Sequence, residues 1–244
     1  MASRSGPRVT APHNLALCLD AGNIKSYDSI KSPTTVNSLV GNITSSSYNS
    51  NITYETSDGG SWKFSGNSTT PGIKFNSITS FMPLGTNDMT YEMWAKPSGV
   101  LQSPFALNRT TSSNTDITVF GILFAMSGYD GIVVYSPVSG NFDTGGAFSF
   151  DWQHFVFTHD ISAGVVKVYR NNVLIKTNTD TTNWSSYPNN NSDTYSFMIG
   201  YGGGINAGAT YGGNISIFRI YKGKAFTAEE VSNNYETFKH RFGI

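Results

Sequence analysis

Short runs of alternating apolar and polar residues, separated by Gly, Asn, Ser and Pro, organise most of this chain. Alternation puts every second side chain on one face, which is the pattern of a half-buried β-strand. It predicts strands near residues 15–19, 61–65, 90–96, 117–124, 152–159, 165–170, 173–177, 195–199 and 214–221. The polar stretch Lys25–Asn51 reads as loop with short strands, and alternation resumes across 61–82 through Trp62, Phe64, Ile73 and Phe75. "MTYEMWAKP" is a strand stopped by Pro97, which has no N–H to give a ladder. The run Asp116–Tyr135 suggests three strands with a turn near Gly128–Gly131. The sharpest local signal is "VVKVYRNNVLIKT", where Asn171-Asn172 can adopt the positive φ angles of a type I′ hairpin turn. In that register Arg170 faces Val173, Tyr169 faces Leu174, Val168 faces Ile175 and Lys167 faces Lys176.

One segment switches to helical periodicity. Val231, Tyr235 and Phe238 fall at i, i+4 and i+7, predicting a helix near 228–239. Thr227 and Glu230 are spaced as a capping box, with Phe226 and Val231 at staple spacing. Lys239, His240 and Arg241 put positive charge at its C-terminal end, where the helix dipole favours it. Many strands and one late helix, without an internal repeat, predict an all-β, two-sheet antiparallel jelly-roll sandwich closed by a short C-terminal helix. Residues 1–14, with Arg4, Pro7, Arg8 and Pro12 and no apolar period, read as an extended arm on a domain spanning 15–244. Ordering such an arm costs about 1–2 kcal/mol per residue, so it needs a surface to lie on: Arg4 and Arg8 suit docking on a neighbouring subunit, and the alternative is that the arm packs on its own sandwich.

Composition narrows the function classes. Charged residues make up 13% of the chain and balance to a formal charge of zero, so no basic tract could follow a phosphate backbone or coat an anionic membrane. Neither nucleic acid nor membrane is expected as a partner, whereas a homo-oligomer is, since a net charge near zero opposes self-association weakly. No apolar stretch has signal-peptide or bilayer length, so synthesis in a cytoplasm without export is the expectation. Cys18, the single cysteine, sits in the apolar run "LALCLD" and reads as a small buried hydrophobe.

The densest candidate for chemistry is "WQHFVFTHD", residues 152–160. His154 and His159 are five apart in a strand and so point to opposite faces, where they cannot share a metal. With Phe155 and Phe157 on one face and Val156 on the other, this is a strand buried on both sides. Glycoside hydrolysis needs two carboxylates flanking one bond, most simply from alternate residues of one strand. Of the five glutamates, three belong to the helix, and neither Glu55 nor Glu92 has an acid at i+2 or i+4. No nucleophile elbow or zinc motif occurs, so no catalytic residue is assigned and the chain is read as a non-enzyme. The loop tyrosines and tryptophans Tyr129, Trp184, Tyr187, Tyr201 and Tyr211 read as solvent-facing and could stack sugar rings or seal a subunit contact.

Five segments, in order, resemble one family. "LALCLDAGNIKSY", "GGSWKFSG", "YEMWAKPS", "WQHFVFTHDISAGVVKVYRNNVLIKT" and "GNISIFRIYKGKAFTAEEVSNNYETFKHRFGI" look like successive segments of concanavalin A-like (laminin-G-like) jelly-roll proteins of tailed bacteriophages. The resemblance covers nearly the whole chain. It implies a virion structural protein (capsid decoration, fibre or tail-surface subunit) on the virion surface among other virion proteins. The alternative is a lectin-like carbohydrate-binding module that adheres to cell-surface glycans of the host. Where the family often has Asp, this chain has Ser38 and Ser65. A calcium site draws on several carboxylates, so the loss of both acids argues against inherited calcium, and no cofactor is expected.

Overall fold

The computed structural model describes residues 9–66, 72–76, 78–82, 87–99, 102–110, 116–124, 131–135, 142–145, 149–179, 194–201 and 210–244. In chain order its strands are β1 (Leu15–Asp20), β2 (Ser47–Tyr48), β3 (Thr53–Glu55), β4 (Ser61–Ser65), β5 (Ile73–Phe75), β6 (Met89–Pro97), β7 (Gln102–Thr110) and β8 (Asp116–Phe124). They continue with β9 (Ile132–Tyr135), β10 (Phe142–Asp143), β11 (Gln153–Asp160), β12 (Val165–Arg170), β13 (Val173–Thr179), β14 (Thr194–Ile199) and β15 (Gly212–Lys222). Helix α1 (Ala228–Phe238) follows and runs into a 3-10 turn, Lys239–Phe242.

Every pairing is antiparallel, in two sheets. The larger has the order β13-β12-β11-β6-β15-β4-β3, and β1 also pairs with β15; the smaller has the order β10-β9-β8-β7-β14-β5-β2. Both sheets turn their alternating apolar residues inward, and the rings of Trp62, Phe75, Phe81, Phe105, Phe197 and Phe218 fill the space between them. The sandwich and its closing helix agree with the alternation read from sequence.

Strand β15 is shared. Its Gly212–Ile215 half pairs with β4, and its Ile217–Tyr221 half pairs with β1 on the same side. The handover falls at Ser216, where the β6–β15 register also shifts, as a bulge lets one strand serve two partners.

Strand β7 was not anticipated. Pro104 interrupts its pattern, and a proline argues against a central strand. The structure accommodates Pro104 where the β7–β8 register shifts between Gln102 and Phe105, so the ladder does not need its N–H. Of the three strands read in Asp116–Tyr135, the described residues hold two, β8 and β9; residues 125–130, with most of the turn expected near Gly128–Gly131, lie outside the described residues.

The hairpin forms as expected around Asn171 (φ 47°) and Asn172 (φ 66°). Arg170 pairs with Val173 and Tyr169 with Leu174, but beyond them the register slips, so Val168 opposes Lys176 and Lys167 opposes Thr177. This corrects the Lys167–Lys176 and Val168–Ile175 pairs. The bulge separates two like charges that would otherwise face each other, and Ile175 still packs against the core.

Unlike a sheet with one wet face, the larger sheet is covered on its outer side too. Helix α1 carries the capping box read from sequence, with Thr227 and Glu230 satisfying each other's backbone N–H. Val231 and Phe226 pack with Val156, Tyr169 and Tyr221, while Phe238 and Phe242 pack with Trp94, Trp152 and Ile217. The second apolar layer explains why β6 and β11 are buried along nearly their whole length rather than at alternate positions.

Candidate functional site

The two sequence-singled aromatics that fall among the described residues meet at one end of the sandwich. Tyr201 bridges to Thr210, and the Tyr211 N–H donates to the Gly200 carbonyl at 3.1 Å. Beside them a notch of about 10 Å³, room for a single water, is lined by Asn49, Asn51, Phe64, Gly66, Thr210 and Tyr211 among others. Glycine is required at its edge. Gly200 has φ 83°, and a Cβ there would lie 2.3 Å from the Phe64 ring. Asn49 Oδ1 accepts from the Asn51 N–H at 2.8 Å, and the Thr210 hydroxyl donates to the Gly66 carbonyl. At this edge Asn51 and Ser65 are exposed and Tyr201 is half-exposed.

Tyr211 is a correction. It is not a solvent-facing platform but a wall of the notch, 1% exposed, edge-on to Phe64, with its hydroxyl donating to the Asn214 carbonyl at 3.1 Å. Burial pushes its phenol well above the ordinary value. Strand alternation reaches it from β15 and turns its ring inward, which loop composition alone could not reveal. Tyr129, Trp184, Tyr187, Arg4 and Arg8 lie outside the described residues.

Part of the arm is placed. Val9 packs beside the Trp94–Phe242 cluster, and the Thr10 N–H donates to Asn234 Oδ1 at 2.8 Å. Asn14 Nδ2 donates to the Lys222 carbonyl at 3.1 Å. Residues 9–14 therefore lie on their own domain.

Beneath that contact sits a group that sequence reading did not single out as a site. Glu92, fully buried in β6, receives four donors. His154 Nε2 is 2.9 Å from Oε1, while Asn234 Nδ2 (2.9 Å), the Tyr221 hydroxyl (3.1 Å) and Arg219 Nη1 (3.3 Å) converge on Oε2. Burial alone would raise this carboxyl, but the Arg219 guanidinium and His154 outweigh it and hold it down at about 2. Arg219 also stacks 4.3 Å over Phe238, and His154 stacks on Trp94. The available signal was an acid centred in an apolar strand, because a buried charge is retained only with partners. No group in this cluster is open to solvent, so it ties helix to sheet and cannot meet a substrate.

The strand that holds both histidines behaves as read. Phe155 and Phe157 join the inter-sheet core while Val156 lies under the helix. Trp152 anchors the edge through a 3.0 Å bond from Nε1 to Asp58 Oδ2. Ser38 spends its hydroxyl oxygen accepting the Cys18 and Val40 N–H groups. Among the described residues, no three His, Cys, Asp or Glu side chains are grouped to hold a metal ion.

The motifs behind the family resemblance converge elsewhere. Arg241 Nη1 donates to Asp20 Oδ1 (2.9 Å), Nη2 to the Gly59 carbonyl (2.9 Å) and Ser216 Oγ (2.7 Å), and Nε to the Asp58 carbonyl (3.0 Å). Gly22 must be glycine, since a Cβ there would stand 1.7 Å from the Gly59 oxygen. "LDAGN", "GGS" and the closing "RFGI" thus form one knot where β1 and β4 meet on β15, and their spacing encodes architecture.

Comparison with known proteins agrees. The fourth domain of AbnA, an extracellular arabinanase of Geobacillus stearothermophilus solved with arabinotriose, superposes with a TM-score of 0.58 at 20% identity, over 92% of this chain and 98% of that domain. Trypanosoma rangeli sialidase superposes with a TM-score of 0.64 at 13% identity, over 98% of this chain but 37% of the sialidase. At these identities the likeness is one of fold. No curated protein sequence matches the chain. Residues 67–232 match the Laminin_G_3 profile, described as the concanavalin A-like lectin/glucanases superfamily. With most of its length matched and the two-sheet sandwich in place, the chain belongs to the concanavalin A-like lectin/glucanases superfamily.

Proposed function

We propose that this domain is a non-catalytic carbohydrate-binding module that engages glycans at the rim around Tyr201, Asn51 and Thr210. The observation that carries the reading is the end-to-end match to an arabinanase domain solved with arabinotriose, 98% of which is covered. The rim supplies what a sugar needs, carboxamide and hydroxyl groups beside a tyrosine ring. Glu92, the acid at the centre of the larger sheet, is saturated by its own donors, which supports binding without hydrolysis. A glycan array carrying arabinan and sialylated ligands tests this. Selective binding that Tyr201→Ala weakens by at least about tenfold, the effect of losing roughly 1.4 kcal/mol, is expected. Uniform absence of binding refutes it.

The order of the five phage-like motifs favours a second reading, a virion surface subunit. The two are compatible, since adhesion to a host would use a glycan-binding surface. Deleting residues 1–8, which spares the Val9 and Thr10 contacts, should leave the domain folded and block its incorporation into particles. Normal incorporation of that truncation removes the docking role of Arg4 and Arg8.

A further inference from the structure

Helix α1 lies over Val156 and Tyr169 on the larger sheet's outer face but leaves the Thr158–Asp160 end of β11 and the Val165–Lys167 end of β12 uncovered. There a cavity of about 400 Å³ lies between the strands and the loop that leads into the helix. Ala225, Phe226, Thr227 and Ala228 form one wall. Thr158 and Asp160 of β11, Lys167 and Tyr169 of β12 and Leu174 of β13 form the floor. The volume is within the range of about 300–1,000 Å³ usual for small-ligand sites.

The chemistry of this floor is specific. Asp160 Oδ1 accepts from the Ala163 N–H (2.9 Å) and from Ser162 Oγ (2.8 Å), contacts that lower its pKa and keep the carboxylate ionised. An ionised carboxylate accepts about four hydrogen bonds, so acceptor capacity remains. Lys167 shares the face, one pair along from Asp160 on the neighbouring strand, yet no ion pair joins them. Leu174 leaves 47% of its surface uncovered beside them. An acyl chain here would desolvate two charges without compensation, and an anion would meet Asp160. A sugar ring satisfies all three, with one hydroxyl donating to Asp160, another accepting from Lys167, and C–H faces lying on Leu174.

The groove is far from the rim. Tyr211 precedes the Gly212 end of β15, whereas Asp160 aligns through His159 and Met89 with Lys222 at the other end. At about 3.3 Å per residue over the ten steps from Gly212 to Lys222, the two places are roughly 33 Å apart along the strands, too far for one ring. We propose that this groove is a second sugar-ring site, so that a single copy of the domain holds two glycan segments at once. Only the ligand class rests on the reading given above.

Backbone NMR of the full chain titrated with arabinotriose, galactose, N-acetylglucosamine and sialic acid tests it. Two separate sets of shifted amides are expected, one around Asn51 and Tyr201 and one around Thr158, Lys167 and Phe226. Lys167→Met should weaken the second set by at least about tenfold, as loss of one charge-assisted hydrogen bond predicts, and leave the first set unchanged. Leu174→Asp should do the same, and Tyr201→Ala should do the converse. If only the rim amides shift, the groove proposal fails alone; if only the groove amides shift, the rim reading fails alone. Silence in both sets overturns both, and groove shifts that survive Lys167→Met and Leu174→Asp overturn the groove assignment.

Discussion

Replacing Glu92 with leucine should destabilise the domain far more than an average substitution. The carboxylate and the Arg219 guanidinium are 0% and 3% exposed at the side chain, 3.3 Å apart, and three further donors point at the same acid. Removing one partner of a buried pair leaves a charge with no counter-ion, at a cost of about 3–5 kcal/mol. In a chain of this size each kcal/mol lowers Tm by about 2–4 °C, so a fall of about 6–20 °C is expected in scanning calorimetry. The double variant Glu92→Leu, Arg219→Met removes both charges and should recover at least about half of the loss, because an apolar pair avoids the desolvation that the ions incurred. Asn234 would still hold the Tyr221 hydroxyl at 3.2 Å and the Thr10 N–H. A single variant within about 1 kcal/mol of the parent, or a double variant no better than the single, would refute the view that an unpaired charge sets the cost. The same pair sets an acid limit. Glu92 titrates at about 2 in the folded chain against an ordinary 4.5, so its contribution is complete above the ordinary value and is lost as pH falls towards 2. Urea midpoints should therefore drop across that window in the parent and drop less in the double variant.

Other outcomes follow from single contacts. Arg241→Ala should cost about 2–3 kcal/mol by urea denaturation, with little rescue by lysine, because a compact ammonium cannot reach Asp20, Ser216 and the Asp58 and Gly59 carbonyls together. Asn172→Val forces a β-branched residue to φ 66° and should lose about 1–3 kcal/mol, whereas Asn172→Gly should be near neutral. Thr227→Ala removes the side chain that accepts the Glu230 N–H and should cost about 1 kcal/mol, read as a lower Tm.

Local features were legible because local chemistry fixes them. Asn171-Asn172 needs positive φ wherever the strands lie, and the Thr227–Glu230 box closes on itself within one turn. Strand alternation also placed Phe155, Phe157, Val168, Ile217 and Ile220 in apolar layers, whereas Ile175, expected to be buried with them, is only half-buried on β13. The same reasoning misjudged Tyr211, since a tyrosine in a Gly-rich stretch looks solvent-facing until the strand that follows fixes its direction. It also missed β7, because whether Pro104 breaks a strand depends on the register of β8, which has no trace in the nine residues of β7 themselves.

The sequence by itself therefore determined the sandwich, the hairpin turn, the capped helix and the burial of the strand that carries both histidines, all consequences of period and turn chemistry along the chain. Only the tertiary structure decided where the charges go. Arg241 finds Asp20 across 221 residues, Glu92 finds Arg219 across 127, and Asp160 and Lys167 come to flank a groove only because α1 leaves that end of their strands uncovered. Such pairings depend on which strands become neighbours and what covers their outer faces. Long-range hydrogen bonds between single side chains leave no periodicity to read, so residues this far apart in sequence become partners only once the sheets have closed.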